Sequence, residues 1–297
     1  MKTEGTLYRP PLEAKTFLLQ VTAGCTHNAC RFCNMYKDKQ FHMIDDETLI
    51  HNLQEEKRIC DIYERPHKRV FLMDGDVFSL SADRLEEKFQ LIRRYMPAME
   101  TFSMYAAIRS IKDKSDDDLR RLKNLGVNDL YIGYESGFDD VLEFMNKGTS
   151  LADSVEQAQR LNEAGIRHRA LFMLGVAGKG RAEESGLAVA DLINQIKPDV
   201  ARIATLTVFP ETPLAEDIRC GKFVPASELE ILTEEKIILE NIKNQPDLRF
   251  WASHILNSAP MDGFIGRDRE WMLKRLTRTI DEFDEARFRK EFKRNQL

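Results

Sequence analysis

The chain has 297 residues, 42% hydrophobic and 31% charged. This ordinary globular composition excludes a disordered chain, a collagen and a disulfide scaffold. The formal net charge of −5 implies no broad basic field, so nucleic acid is not the default partner.

Met1-Lys2-Thr3-Glu4-Gly5 leads into no apolar run, so no signal peptide is expected. The pattern that follows alternates strand and helix. Phe17-Leu18-Leu19-Gln20-Val21 reads as the first strand. The second is Arg69–Met73, ending in Asp74-Gly75-Asp76. Ser81 can cap a helix with Leu85, Phe89 and Ile92 on one face. Residues 101–108 form the third strand, and Ser115 can cap a helix over 116–125 that stops at Gly126. The fourth strand spans 129–134. A helix over 151–164 then ends at Gly165, followed by a fifth strand over 169–174. A helix over 183–196 stops before Pro198, and 202–209 make the sixth strand. A further strand is expected over 248–253. From Asp268 onward Met272, Leu276, Ile280 and Phe283 recur at helical spacing, which predicts a docked helix. These starts and stops have a mechanism: side-chain oxygens satisfy free N–H groups, and glycine accepts the left-handed cap. No apolar run approaches the ~20 residues of a membrane span, and a cytoplasmic protein is expected.

Strands alternating with helices argue for βαβ units and a parallel sheet. Six units suit an open, partial barrel or a doubly wound sheet. In both, chemistry sits at the carboxyl ends of the strands. The unusual residues fall there.

Five cysteines are present, and three lie within nine residues: Cys25, Cys30 and Cys33. An odd, clustered set argues against disulfides and for a metal site in a reducing compartment. No second Cys or His pair completes a zinc knuckle, although His27 lies in the same loop. Three thiolates on a cubane cluster leave one iron open. Cys60 and Cys220 stand alone and are expected to be inert packing.

A three-cysteine loop after the first strand of a six-unit βα array resembles the radical S-adenosylmethionine superfamily. That family commonly spaces its cysteines by three residues and then two; here the spacing is four and then two. Later motifs strengthen the likeness. Phe71-Leu72-Met73-Asp74-Gly75-Asp76 resembles the Gly-Gly-Glu-type motif. Tyr131-Ile132-Gly133-Tyr134-Glu135-Ser136-Gly137 resembles the ribose-contacting motif. Leu171-Phe172-Met173-Leu174-Gly175-Val176-Ala177-Gly178 resembles the fifth-strand motif. Thr207-Val208-Phe209-Pro210-Glu211-Thr212-Pro213-Leu214 resembles the Pro-Gly-Thr-Pro-Leu run, with Glu211 in place of its glycine. The resemblance spans 15–215 and is nearest to the subgroup of oxygen-independent coproporphyrinogen oxidase and the wobble-uridine-modifying radical enzymes.

The resemblance implies an α/β fold, a partial (β/α)6 TIM-like barrel over 1–215. A C-terminal helical extension over 216–297 would pack on it. It implies a [4Fe–4S] cluster on Cys25, Cys30 and Cys33 and S-adenosylmethionine as cofactor, with an electron from a flavodoxin or ferredoxin. Asp74, Gly75 and Asp76 would meet the methionyl ammonium, and either aspartate could supply the charge. Glu135 or Ser136 would bind the ribose. Phe32, Met173 and Gly175 would lie by the adenine, and Arg109, closing the third strand, would pair with the cofactor's carboxylate. The radical formed would take a hydrogen atom from a substrate. The alternative is a non-catalytic iron–sulfur or zinc protein. The acidic charge favours a small-molecule substrate, and Trp251-Ala252-Ser253-His254-Ile255-Leu256-Asn257 offers a mixed lining in which His254 and Asn257 could face it.

Overall fold

A computed structural model describes residues 1–284. The chain is α/β with mostly parallel strands, and it forms two compact units. The first holds Met1–Asn28, Met35–Ile132 and Gln159–His168; the second holds Ala29–Asn34, Gly133–Ala158 and the chain from Arg169. Among the described residues no helix is long and apolar enough to cross a membrane.

In the first unit β1 (Phe17–Gln20), β2 (Arg69–Met73), β3 (Thr101–Ala106) and the part of β4 (Val127–Glu135) up to Ile132 pair in parallel in chain order, with Leu19 opposite Leu72 and Leu72 opposite Met104. Val70, Phe71, Leu72 and Met73 are fully buried. A continuous apolar run is what a parallel strand covered on both faces requires. Leu18, Phe71, Met73 and Tyr131 form one core cluster, with Tyr105 and Tyr131 edge-on to Phe71.

The helices of this unit start where their caps predict. Asp45 caps α1 (Asp46–Tyr63), and Ser81 caps α2 (Ala82–Tyr95). Ser115 and Asp118 form a capping box on α4 (Asp116–Asn124), which follows the short α3 (Ile108–Lys112). The third strand is shorter than the sequence suggests. Ala107 N–H donates to Asp76 Oδ1 at 3.1 Å and Ile108 opens α3, so the ladder ends at Ala106. Arg109 therefore sits on a helical turn and does not close the strand.

At the opposite, amino ends of these strands lies a polar network the sequence did not announce. Arg69 bridges Glu13 at 2.6 Å and Asp129 at 2.7 Å, and Ser103 and Tyr131 donate to the two carboxylates. Burial alone would raise the Glu13 carboxyl; Arg69, Thr16 and Tyr131 outweigh it and hold it below its ordinary value.

In the second unit β5 (Arg167–Leu174), β6 (Val200–Thr205) and β7 (Arg249–Trp251) are parallel. A short β8 (Asp262–Phe264), absent from the sequence reading, pairs antiparallel with β7. The remaining helices are α5 (Asp139–Phe144), α6 (Leu151–Glu163, in this unit up to Ala158), α7 (Ala182–Ile196), α8 (Pro213–Arg219), α9 (Glu228–Asn241) and α10 (Ile265–Asp281). Thr212 and Ser227 cap α8 and α9. Met272 and Leu276 of α10 are fully buried, so the tail docks as a helix as far as Asp281. Phe283 falls beyond it, and the part of that reading over 285–297 lies outside the described residues.

The sixth strand stops at Thr205, not at 209. The Asn257 side-chain oxygen accepts from both the backbone N–H and the hydroxyl of Thr205, at 3.0 and 3.1 Å. Its amide nitrogen donates to Ile203 O and Ala252 O, each at 2.8 Å. All four hydrogen-bonding positions of this buried amide are thereby filled. Asn257, expected to face substrate, is instead a strut between strand ends.

Candidate cluster and cofactor site

In the first unit the carboxyl end of β2 meets the start of the cysteine loop. Gly75 N–H donates to Gly24 O at 3.0 Å. A Cβ on Gly75 would stand 2.9 Å from the Cβ of Cys25 and 2.8 Å from the Tyr36 ring. Only glycine permits this approach. The two flanking aspartates then take different tasks. Asp76 accepts from Thr26 Oγ1 at 2.5 Å, Ser110 Oγ at 2.7 Å and Ala107 N. It is a hub that fixes Thr26, the neighbour of Cys25. Arg109 donates to the same Thr26 hydroxyl at 2.9 Å.

Asp74 is fully buried. Its Oδ2 takes Lys39 Nζ at 2.8 Å and Gly24 N–H at 3.3 Å, and the Tyr36 phenol also faces the carboxylate, while Oδ1 makes no hydrogen bond of ordinary geometry. Burial pushes its carboxyl above the ordinary range, against the lowering effect of Lys39. A buried carboxylate oxygen without a partner costs ~1–3 kcal/mol or more. An arriving ammonium group would relieve that cost, so Asp74 fits a cationic part of a cofactor better than Asp76 does.

In the second unit the rest of the loop is fastened at several points. Arg31 N–H donates to Met145 O and Arg31 O accepts from Leu214 N–H, at 2.9 and 3.0 Å. The Arg31 guanidinium pairs with Asp217 at 2.7 Å and lies over the Phe144 ring. Cys33 N–H turns back to Cys30 O at 3.3 Å. Phe32 and Met173 both pack, half-buried, on a core of Val141, Met145, Val176, Leu214 and Phe223. None of the five cysteines is in a disulfide, and the three of the loop are half-buried. Cys60 is buried, as the packing reading expects; Cys220 is exposed at the end of α8 and is not packed.

Glu135 ends β4 with φ 68°, a left-handed conformation that costs a non-glycine residue ~1–2 kcal/mol. Lys147 donates to its Oε1 at 2.8 Å, and its Oε2 is buried without a partner. Strain together with an orphaned carboxylate oxygen is a pattern of binding sites. Ser136 is fully buried, and its hydroxyl accepts from Phe138 N–H within the turn.

Gly175 has φ +75° and donates its N–H to Glu234 Oε2 at 2.7 Å; Ser185 donates to Oε1 at 2.6 Å. Burial pushes the Glu234 carboxyl up to about 7, against the lowering by Ser185 and Gly175. In the unfolded chain this group titrates near its ordinary value of 4.5. Between the two values the folded protein holds more protons than the unfolded one, so folding stability falls as pH rises through that window. Glu234→Gln should flatten the fall by on the order of 3 kcal/mol. Anaerobic denaturant titrations at about pH 5 and about pH 8 measure this; equal pH slopes in variant and wild type would reject the assignment.

Lys39, Tyr36, Thr26, Lys147 and Glu234 were not singled out from the sequence. Each meets its partner only through the fold, across 12 to 59 positions in the chain. The one available signal was that a buried aspartate or glutamate needs a partner.

Residues 19–192 match the Radical SAM superfamily, and the chain belongs to it. Its cofactors are accordingly a [4Fe–4S] cluster and S-adenosylmethionine, and such enzymes need a reductant and a substrate. The heme chaperone HemW of Bacillus subtilis (strain 168) is 28% identical over 52% of this chain and 41% of its own length. The tRNA uridine(34) acetyltransferase of Methanocaldococcus jannaschii is 23% identical over 42% of this chain and 24% of its own. The chain thus spans less than half the length of either relative. The crystal structure of methylornithine synthase (PylB) superposes with a TM-score of 0.53 at 16% identity, covering 93% of this chain and 85% of that one. This likeness shows the fold, an α/β arrangement of the TIM-barrel-like radical SAM type.

Proposed function

We propose that Cys25, Cys30 and Cys33 hold the [4Fe–4S] cluster and that the β-strand ends hold S-adenosylmethionine, with 1–215 as the catalytic core and 216–297 as its extension. The observation that carries this is the pairing of the three-cysteine loop with Gly75, whose missing side chain lets the turn after β2 lie against Cys25. When bound, the reduced cluster supplies the electron that splits the cofactor's sulfonium bond into methionine and a 5′-deoxyadenosyl radical.

The chain's own residues bind and aim. Asp74 offers its partnerless Oδ1 to the methionyl ammonium, while Asp76 keeps Thr26 and the start of the loop in place. Arg109 is within one hydroxyl of that loop and supplies a positive charge for the cofactor's carboxylate. Glu135 offers Oε2 to the ribose hydroxyls, and Ser136 supports the turn. Phe32, Met173 and Gly175 provide the apolar wall and the turn beside the adenine. A flavodoxin- or ferredoxin-type donor supplies the electron. Five free thiols suit a reducing, cytoplasmic setting. Anaerobic reconstitution with S-adenosylmethionine and a reductant, followed by chromatography, tests the reading. Formation of 5′-deoxyadenosine supports it, and a cluster-loaded protein that forms none refutes it.

The substrate is proposed to be a small molecule. His254 follows β7, is half-buried edge-on to Trp251, and accepts from Leu256 N–H through Nδ1. Burial and the positive charge of Arg202 lower its pKa, which favours the neutral ring, and with Nδ1 accepting from Leu256 that ring presents Nε2–H as a donor to substrate. His254→Ala should lower turnover about 100-fold while leaving 5′-deoxyadenosine formation without substrate unchanged. Full turnover in the variant would remove His254 from the site. A second reading, a tRNA substrate, is favoured by the tRNA uridine(34) acetyltransferase relative. Tight, salt-sensitive binding of bulk tRNA at ~0.15 M salt, with modified nucleosides appearing, would select it.

A further inference from the structure

The second half of α1 carries a donor set of its own. Glu56 and Cys60 are one helical turn apart and so share a face. The helix ends at Glu64 in the left-handed conformation, φ 52°, and the N–H groups of Glu64 and Arg65 both return to Cys60 O. Pro66 follows, and the chain folds His67 back over the same face. His67 Nε2 lies 2.7 Å from Glu56 Oε1. The His67 ring is held by stacking on Phe17 at 5.1 Å and 7°. The thiol sulfur, an imidazole nitrogen and a carboxylate oxygen all lie within 4.8 Å of one another.

We propose that Glu56, Cys60 and His67 form a mononuclear site for zinc or a similar borderline divalent transition metal, with water as the fourth ligand. The donor types are those zinc takes: thiolate sulfur, imidazole nitrogen and carboxylate oxygen. In a tetrahedral zinc site such donors stand ~3.5 Å apart, a spacing that small side-chain rotations reach from the observed one. The sulfur side is closed, since Cys60 is 8% exposed. The imidazole side is open, with the His67 side chain 31% exposed and that of Glu56 13%, which gives an ion a path in and leaves room for water. The Phe17 stack and the bond to Glu56 fix the ring, so little ordering of the imidazole is left for the ion to impose. A bound ion would tie the end of α1 to the segment that enters β2.

The test uses cluster-loaded protein, whose loop thiols are occupied by iron, and Zn2+ as the probe. Anaerobic equilibrium dialysis against chelator-buffered Zn2+, then elemental analysis, should give about one zinc per chain beyond the iron. X-ray absorption at the zinc edge should show one sulfur neighbour. Cys60→Ser and His67→Gln should each weaken retention at least 10-fold, since losing even an outer-shell partner costs that much. Cys220→Ser should change nothing. Unchanged circular dichroism and iron content in Cys60→Ser and in the more exposed Glu56→Gln separate lost binding from lost folding. Absence of zinc in the wild type overturns the proposal, as does retention at the wild-type level in Cys60→Ser and His67→Gln. Zinc that survives Cys60→Ser but disappears with the loop triple variant belongs to the loop and also overturns it.

Discussion

Replacing Cys25, Cys30 and Cys33 together by alanine is expected to yield a colourless protein, with iron falling from about four per chain to near zero after anaerobic reconstitution. This is the largest effect any change in the chain should have, because the proposal gives the cluster these three thiolates as its anchors. The loop presents three thiols within nine residues. Gly24 and Gly75 press the first cysteine against the end of β2, and Arg31, Asn146 and Asp217 hold the segment carrying the other two. Those fastenings do not involve sulfur. The triple variant should therefore stay folded, with far-ultraviolet circular dichroism close to wild type. Cys60→Ala and Cys220→Ala should keep full iron content, the first because Cys60 belongs to α1 and the second because Cys220 is exposed at the end of α8. Iron retained by the triple variant, or lost with Cys60 or Cys220 alone, would break the assignment.

The parallel strands and the cysteine loop were legible in the sequence because both are local. Arg69–Met73 is an apolar run bounded by turn residues, and its boundaries match the structure residue for residue. The caps at Ser81 and Ser115 were equally readable, since the oxygen and the N–H it satisfies are three residues apart. What failed was set by distant partners. Strand six looks apolar to Phe209, yet its pairing with β5 ends at Thr205, whose N–H turns to Asn257. Arg109 looked like a strand end until Asp76 drew Ala107 into the start of a helix. Asn257 itself shows the limit of reading a polar residue in an apolar stretch: the same pattern describes a ligand and a strut, and only the count of its bonds decides. The choices between Asp74 and Asp76, and between Glu135 and Ser136, were of the same kind. In each pair one member has spent its acceptors on the fold and the other retains a buried oxygen without a partner.

That asymmetry leads to the second large effect, on cofactor affinity. Glu135→Gln and Asp74→Asn are expected to weaken S-adenosylmethionine binding by ~10–100-fold each while leaving iron nearly unchanged, because a hydrogen bond to a charged partner contributes ~1.5–3 kcal/mol. Both substitutions keep the shape of the side chain, so packing is not disturbed. Lys147 and Lys39 would lose their charged partners. A modest fall in stability should therefore accompany both variants, and affinity must be measured well below the unfolding transition. Asp76→Asn should behave differently. It removes an acceptor from Thr26 and Ser110 at once and loosens the residue beside Cys25. Its expected signature is lost iron and lost stability, with affinity per loaded cluster close to wild type. Isothermal titration on reconstituted protein, normalised to iron, separates the two patterns. If Asp76→Asn loses affinity per cluster and Asp74→Asn does not, the roles of the two aspartates are exchanged. If neither Glu135→Gln nor Asp74→Asn changes affinity, the cofactor does not use these buried oxygens.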